Sequence, residues 1–237
     1  LNYWCFSVHS PWQAKDEYLT EYAKKVDPKD GQKNPVYAGM VKSLDDAMGT
    51  LMKTLDDLKL TDNTLIIFFS DNGGVDWHEE KMKTAWGMDV PPTSNSPLRA
   101  GKASSYEGGT RVPCMISWPG VVAPGTVNDT VIQSIDFHPT LLEALGLKPQ
   151  PSQRFDGISI LPTLKGKPLF RDTIYCHFPH YIGNIHPGEA PASWVRKGDF
   201  KLIRFFHDND DRSDRLELYN LKEDLGEKNN LAAKMPE

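Results

Sequence analysis

A chain of 237 residues, 39% hydrophobic and 25% charged, has the make-up of a globular protein and enough length to bury a sizeable core. Its formal net charge of -5 comes without a basic cluster, which argues against nucleic acid as the main partner. No apolar run approaches the roughly 20 residues of a membrane-spanning helix, and LNYWCFSVHSPW at the start has neither the basic opening nor the apolar centre of a targeting leader.

In chain order, LNYWCFSVH reads as a strand that ends at His9. A polar, lysine-rich loop follows to about Lys33. From Pro35 to Leu58, apolar residues such as Tyr37, Met40, Leu44, Met48, Leu51 and Leu55 recur at steps of three and four, which predicts an amphipathic helix. Its acidic pairs, Asp45-Asp46 and Asp56-Asp57, belong on the solvated face. LIIFF, residues 65–69, has no alternation and reads as a strand buried on both faces of a parallel sheet, reached by a helix-then-strand crossover. Its polar end, SDNGG, then lies at the carboxyl edge, where open α/β sheets bind ligands. Residues 75–111 are poor in apolar side chains, and so long an irregular stretch is usually functional.

VPCMISWPG is a second short buried strand, and VIQSIDFHPTLLEALG a helix with Gly146 at its end. After a proline-rich linker at 148–153, RDTIYCHFPHY, ASWVRKGDFKLIRFF and RLELYNL read as antiparallel strands, and the tail as helical. The expected fold is α/β. Residues 1–169 form part of a mostly parallel sheet flanked by helices, and residues 170–237 a small antiparallel subdomain with a terminal helix. Cys5, Cys114 and Cys176 are far apart and odd in number, so they read as small buried apolar residues rather than a disulfide framework or metal site.

Several residue types in this pattern carry chemistry. Asp71 and Asn72 offer a carboxylate and an amide carbonyl side by side, hard oxygen donors suited to calcium or magnesium. The segment is not an EF-hand loop, because Gly73 and Val75 stand where side-chain ligands would be needed. Lys102 sits among small residues that let an anion reach its ammonium. Arg99 or Arg111, on either side, is placed to pair with Glu107 and brace the loop. His9, at a strand end, suits an anion donor or an acid. His177 and His180 straddle Phe178-Pro179, where strand-end packing or substrate contact is favoured over a transition metal.

Five stretches carry a resemblance: SVHSPWQ, FFSDNGG, SPLRAGKASSYEGGTRVP, SWPG with DFHPTLLEALG, and ELYNLKEDLGEKNNLA. In this order they resemble the C-terminal half of a type I, formylglycine-dependent sulfatase of the alkaline-phosphatase-like superfamily. The resemblance implies that Asp71 and Asn72 complete a calcium site, that Lys102 bridges sulfate and nucleophile, and that His9 contacts the sulfate or its leaving oxygen. It also implies a sulfated carbohydrate or aryl sulfate as substrate; the loop 75–100 with Trp77, His78 and Trp86, and the aromatic, histidine-rich stretch 177–187 that carries His177 and His180, favour a sugar pocket and so the carbohydrate. The family's C/S-x-P-x-R nucleophile motif does not occur in this sequence, so formylglycine is expected on an N-terminal half that is missing here. Without that half the chain is expected to lack turnover, and its uncovered apolar faces make self-association an expectation. Export to the periplasm or beyond follows from the family habit. A phosphatase or phosphodiesterase of the same superfamily is the alternative, disfavoured because Asn72, not histidine, follows Asp71. A non-catalytic module that binds a sulfated ligand is the other.

Overall fold

The computed structural model describes residues 1–77, 89–182 and 187–236, so His78 and Trp86 of the long loop lie outside the described residues. Helices α1 (Asp16–Ala23) and α2 (Pro35–Asp57) pack together. Asn34 caps α2 by accepting the Val36 and Tyr37 N–H groups at 3.0 and 3.1 Å, with Pro35 pre-set for the first turn. Val36 and Met40 are buried against Val8, Trp12, Ala14 and Leu19. Asp46 is not merely solvated as expected, since it accepts hydrogen bonds from Tyr18 of α1 and from Lys42.

Three expectations are corrected here. Residues 1–6 form no strand, and Leu1, Trp4 and Phe6 are exposed, because among the described residues no neighbouring strand meets their backbone groups. Cys5 is exposed with them, whereas Cys114 and Cys176 are half-buried and burial pushes their thiols up. Strand β1 (Ile66–Phe69) is only half-buried and pairs antiparallel with β2 (Cys114–Ser117), Ile66 opposite Ser117 and Phe69 opposite Cys114. Ser70 N–H donates to Pro113 O at 3.3 Å just beyond the paired residues, and antiparallel neighbours of this kind need no crossover between them.

Beyond β1 come the single turn α3 (Glu107–Thr110), the helix α4 (Phe137–Ala144) and the turn α5 (Leu161–Leu164). Gly146, at φ +64°, closes α4 in the left-handed conformation that a glycine adopts freely. Phe137 packs edge-on against Phe69 at 4.9 Å, and His138 packs against Phe155 at 5.1 Å. Asp136, ahead of α4, is fully buried and held by both guanidinium nitrogens of Arg171 at 2.7 and 2.6 Å and by the Gln133 and Ile158 N–H groups.

Burial alone would push the Asp136 carboxyl up, but Arg171 and the two N–H donors outweigh it and hold it below the usual carboxylate range. A depressed folded-state value stabilises the fold above the ordinary aspartate range, and this stability is lost as pH falls through the depressed value. Urea unfolding of wild type and Asp136→Asn is therefore expected to differ most near neutrality and to converge in acid. A gap independent of pH would contradict this.

Strands β3 (Thr173–Phe178), β4 (Ala192–Lys197), β5 (Phe200–Phe205) and β6 (Arg215–Asn220) form the expected antiparallel sheet; they lie in sequential order, and ASWVRKGDFKLIRFF supplies two of them, β4 and β5. β5 alternates exposed and buried residues strictly, so Lys201, Ile203 and Phe205 share the inner face. The core beneath it gathers Ile203, Phe205, Tyr219, Leu221, Ala190 and Ala192 around Tyr106 from the loop ahead of α3. After β6 the chain runs in turns, not the expected helix. Asn220, Asp224 and Asn230 side chains take up backbone N–H groups there, a local alternative to helical bonding.

Candidate functional site

At the end of β1 the chain turns through Asp71-Asn72-Gly73-Gly74. Asp71 is exposed; one of its carboxylate oxygens accepts the Asn72 N–H at 2.9 Å. Asn72 donates its amide to Gly73 O at 2.8 Å, and among the described residues its amide oxygen takes no hydrogen bond. The pair therefore keeps oxygen acceptors that no hydrogen bond among the described residues uses. These fit a hard cation, although calcium takes roughly six to eight oxygens, so two side chains are part of a set. Among the described residues no three His, Cys, Asp or Glu side chains gather into a metal site.

Glycine explains how this tip meets the second motif. Gly73 N–H donates to Gly109 O at 3.0 Å, and Lys102 N–H to Gly74 O at 2.9 Å. The backbones touch so closely that a Cβ on Gly73 would lie 1.7 Å from Gly108 O, and one on Gly101 would lie 2.2 Å from Gly74 O. Asn95 fastens the junction, accepting Gly74 N–H at 3.1 Å and donating to Gly74 O and Ala100 O. Lys102, half-buried, is thus pinned by its main chain next to the Asp71–Asn72 turn. Among the described residues its ammonium makes no ion pair.

The other proposed site residues lie apart from this junction in the contacts they make. His9 is exposed, its Nδ1 3.0 Å from Ser10 O. His177 is exposed on β3, with Nδ1 2.5 Å from Ser193 Oγ and its ring edge-on to Phe206; His180 packs against Phe178. A cleft of about 420 Å³ opens beside Asn95, lined also by Lys33, Asp76, Asp89, Thr93 and Ser94. Gln32 ties its wall together by accepting from Thr93 and Ser94.

The bracing of the lysine loop differs from expectation. Arg111 is exposed, and Arg99 does not pair with Glu107. Arg99 instead stacks on the Tyr106 ring at 3.7 Å and donates to Tyr219 Oη and Glu227 O at 2.9 and 2.8 Å. Burial pushes the Tyr106 and Tyr219 hydroxyls up, and both donate to Glu217 at 2.8 and 2.7 Å. The partner of Glu107 is Lys201 on β5, at 2.9 Å. Lys201 also lies 3.5 Å from Glu227 Oε1, while Glu227 Oε2 accepts the Glu107 N–H at 2.7 Å. The alternation of FKLIRF was the one signal for this lysine, since it puts Lys201 in register with Ile203 and Phe205.

An oxygen-donor pair and a lysine are held close together at the carboxyl end of a strand, on an α/β frame with a small antiparallel sheet against it. The chain belongs to the sulfatase family. It matches the Sulfatase family over residues 5–147 and the family described as N-sulphoglucosamine sulphohydrolase, C-terminal, over residues 101–236. A sulfatase of Formosa agariphila is 37% identical over 227 residues, covering 90% of this chain and 38% of the relative. Human arylsulfatase A is 32% identical over 212 residues, covering 82% of this chain and 38% of the relative. Among solved structures, Ps i-CgsB in complex with k-i-k-neocarrahexaose is 29% identical with a TM-score of 0.74, covering 96% of this chain and 44% of that one. The chain thus spans well under half the length of these relatives.

Proposed function

We propose that this chain is the C-terminal part of a calcium-assisted sulfuric ester hydrolase acting on a sulfated carbohydrate, with an aryl sulfate as the simpler substitute. The observation that carries the reading is the glycine-to-glycine junction that fixes Lys102 beside Asp71 and Asn72. Asp71 and Asn72 contribute oxygens to the calcium, which when bound supplies positive charge to the sulfuryl group. Lys102 directs its ammonium at the sulfate oxygens, where charge develops in the transition state. His9 donates to the sulfate or its leaving oxygen, and His177 and His180 contact the remainder of the substrate.

Residues 1–169 contribute the catalytic α/β portion and residues 170–237 the subdomain that supports it. The formylglycine nucleophile belongs to sequence ahead of this chain, and the enzyme works in the periplasm or outside the cell. The polar cleft beside Asn95 and the neocarrahexaose held by the solved relative support a glycan over an aryl group.

The test is sulfate release from sulfated oligosaccharides by the complete enzyme, with calcium binding measured by calorimetry. Asp71→Ala is expected to weaken calcium by about tenfold or more and to slow release in step. Release of phosphate instead of sulfate, or two zinc ions bound in place of one calcium, would overturn the reading in favour of a phosphatase.

A further inference from the structure

We infer that Lys201, buried on β5, is a positioning residue for the Asp71–Asn72 turn and for Lys102, acting through Glu107. The inference rests on the reading of that turn as a metal and sulfate site. Lys201 and Glu227 are both 0% exposed, and Glu107 is 4% exposed. Burying an ammonium between two carboxylates is costly unless the geometry is held closely. Lys201 shares its face of β5 with Ile203 and Phe205, stands opposite Tyr219 and lies 5.1 Å from the Trp194 ring, while its charge is met by the carboxylates of Glu107 and Glu227.

What the ammonium holds is Glu107, the first residue of α3, whose N–H is fixed in turn by Glu227. The next two residues are the ones that meet the site. Gly108 N–H donates to Arg99 O at 2.9 Å, and Gly109 O receives Gly73 N–H at 3.0 Å. Gly108 also abuts the loop that carries Lys102, because a Cβ there would lie 1.9 Å from Ala100 O. With backbone against backbone at both contacts there is no side chain to absorb a shift, so a displacement of Glu107 passes to both halves of the site. Arg196, 4.0 Å from the second Glu107 oxygen, adds a further charge from β4. The C-terminal sheet thereby sets the relative position of the metal donors and the sulfate-binding lysine.

Lys201→Met in the complete enzyme removes the cation and leaves Glu107 and Glu227 facing each other. The expected result is calcium binding weaker by about 10- to 100-fold in calorimetry, the scale seen when a group supporting a metal ligand is lost. Amide exchange over residues 70–76 of the metal-free protein is expected to rise by about tenfold, both being measured where circular dichroism reports a folded protein. A role confined to stability would lower the melting temperature and leave calcium affinity and exchange over 70–76 unchanged, and that result overturns the inference. Glu107→Gln keeps the shape of the side chain but removes the charge that Lys201 and Arg196 hold, and carries the same test in the same direction if Lys201→Met does not fold. Lys102→Ala is the reference: unchanged sulfate release in that variant defeats the sulfatase reading itself, whereas a crippled Lys102→Ala beside an unaffected Lys201→Met defeats only this inference.

Discussion

Alanine in place of Lys102 is expected to lower kcat/KM of the complete enzyme by roughly two to three orders of magnitude, the loss typical of a missing donor to developing negative charge. The main chain at this position is held independently of the side chain, by the Lys102 N–H bond to Gly74 O and by the close seat of Gly101 against Gly74. Truncation therefore removes the ammonium and leaves the loop in place. Among the described residues the ammonium has no carboxylate partner to strand, so the loss reports on substrate and not on a broken ion pair. Because the ammonium acts on the sulfuryl group as its charge redistributes in the transition state, the deficit is expected mainly in kcat. Arginine at this position does not restore the rate, since a planar fork cannot replace a compact ammonium in a niche between Gly101 and Ala103. Steady-state kinetics on a sulfated oligosaccharide decide it, and a decrease of less than about threefold would remove Lys102 from the chemistry.

The parts legible in the sequence are those whose pattern is local. The apolar steps of α2 gave its limits to within a residue, because Asn34-Pro35 starts the helix and the stripe runs out at Leu58. The small antiparallel sheet was legible as three stretches set apart by turn signals, whereas the break at Gly198-Asp199 that divides ASWVRKGDFKLIRFF into β4 and β5 was not read. LNYWCFSVH failed for a different reason: apolar composition makes a strand only where a neighbour supplies hydrogen bonds, and among the described residues none does. β1 and β2 misled in a related way, since an unbroken apolar run does not say in which direction its partner lies. In the site, the residue types of SDNGG and of Lys102 were suggestive, but their union depends on contacts between Gly73, Gly74, Gly101 and Gly108 that sit up to 35 positions apart. Lys201 was hidden by a real ambiguity. In FKLIRF either alternate set, Phe200-Leu202-Arg204 or Lys201-Ile203-Phe205, holds two apolar residues and one cation, and only packing against Tyr106 decides which set is buried.

The glycine junction yields the second large effect. Gly73→Ala is expected to cost about 3 kcal/mol or more of stability, the upper end for inserting a methyl group into a packed interior. The new Cβ would stand 1.7 Å from Gly108 O, 2.8 Å from Gly108 C and 3.0 Å from Gly109 Cα, all backbone atoms with no rotamer through which to escape. Retreat of α3 is blocked in turn, since Gly108 already rests on the Arg99 and Ala100 carbonyls and Gly109 on those of Ser104 and Gly101. Relief is left to the β1 turn, which must swing away, lose the Gly73 N–H bond to Gly109 O, and carry Asp71 and Asn72 with it. Calcium binding is therefore expected to fall along with the melting temperature. Gly49→Ala provides the contrast: its Cβ meets nothing within 4 Å on the exposed side of α2, and the change is expected to stabilise by about 1 kcal/mol through helix propensity. Thermal melts of the two variants, with and without calcium, separate the cases. A Gly73→Ala protein that melts and binds calcium like wild type would mean that the strand tip is not held by this junction, and the placement of Lys102 beside the metal donors would lose its physical basis.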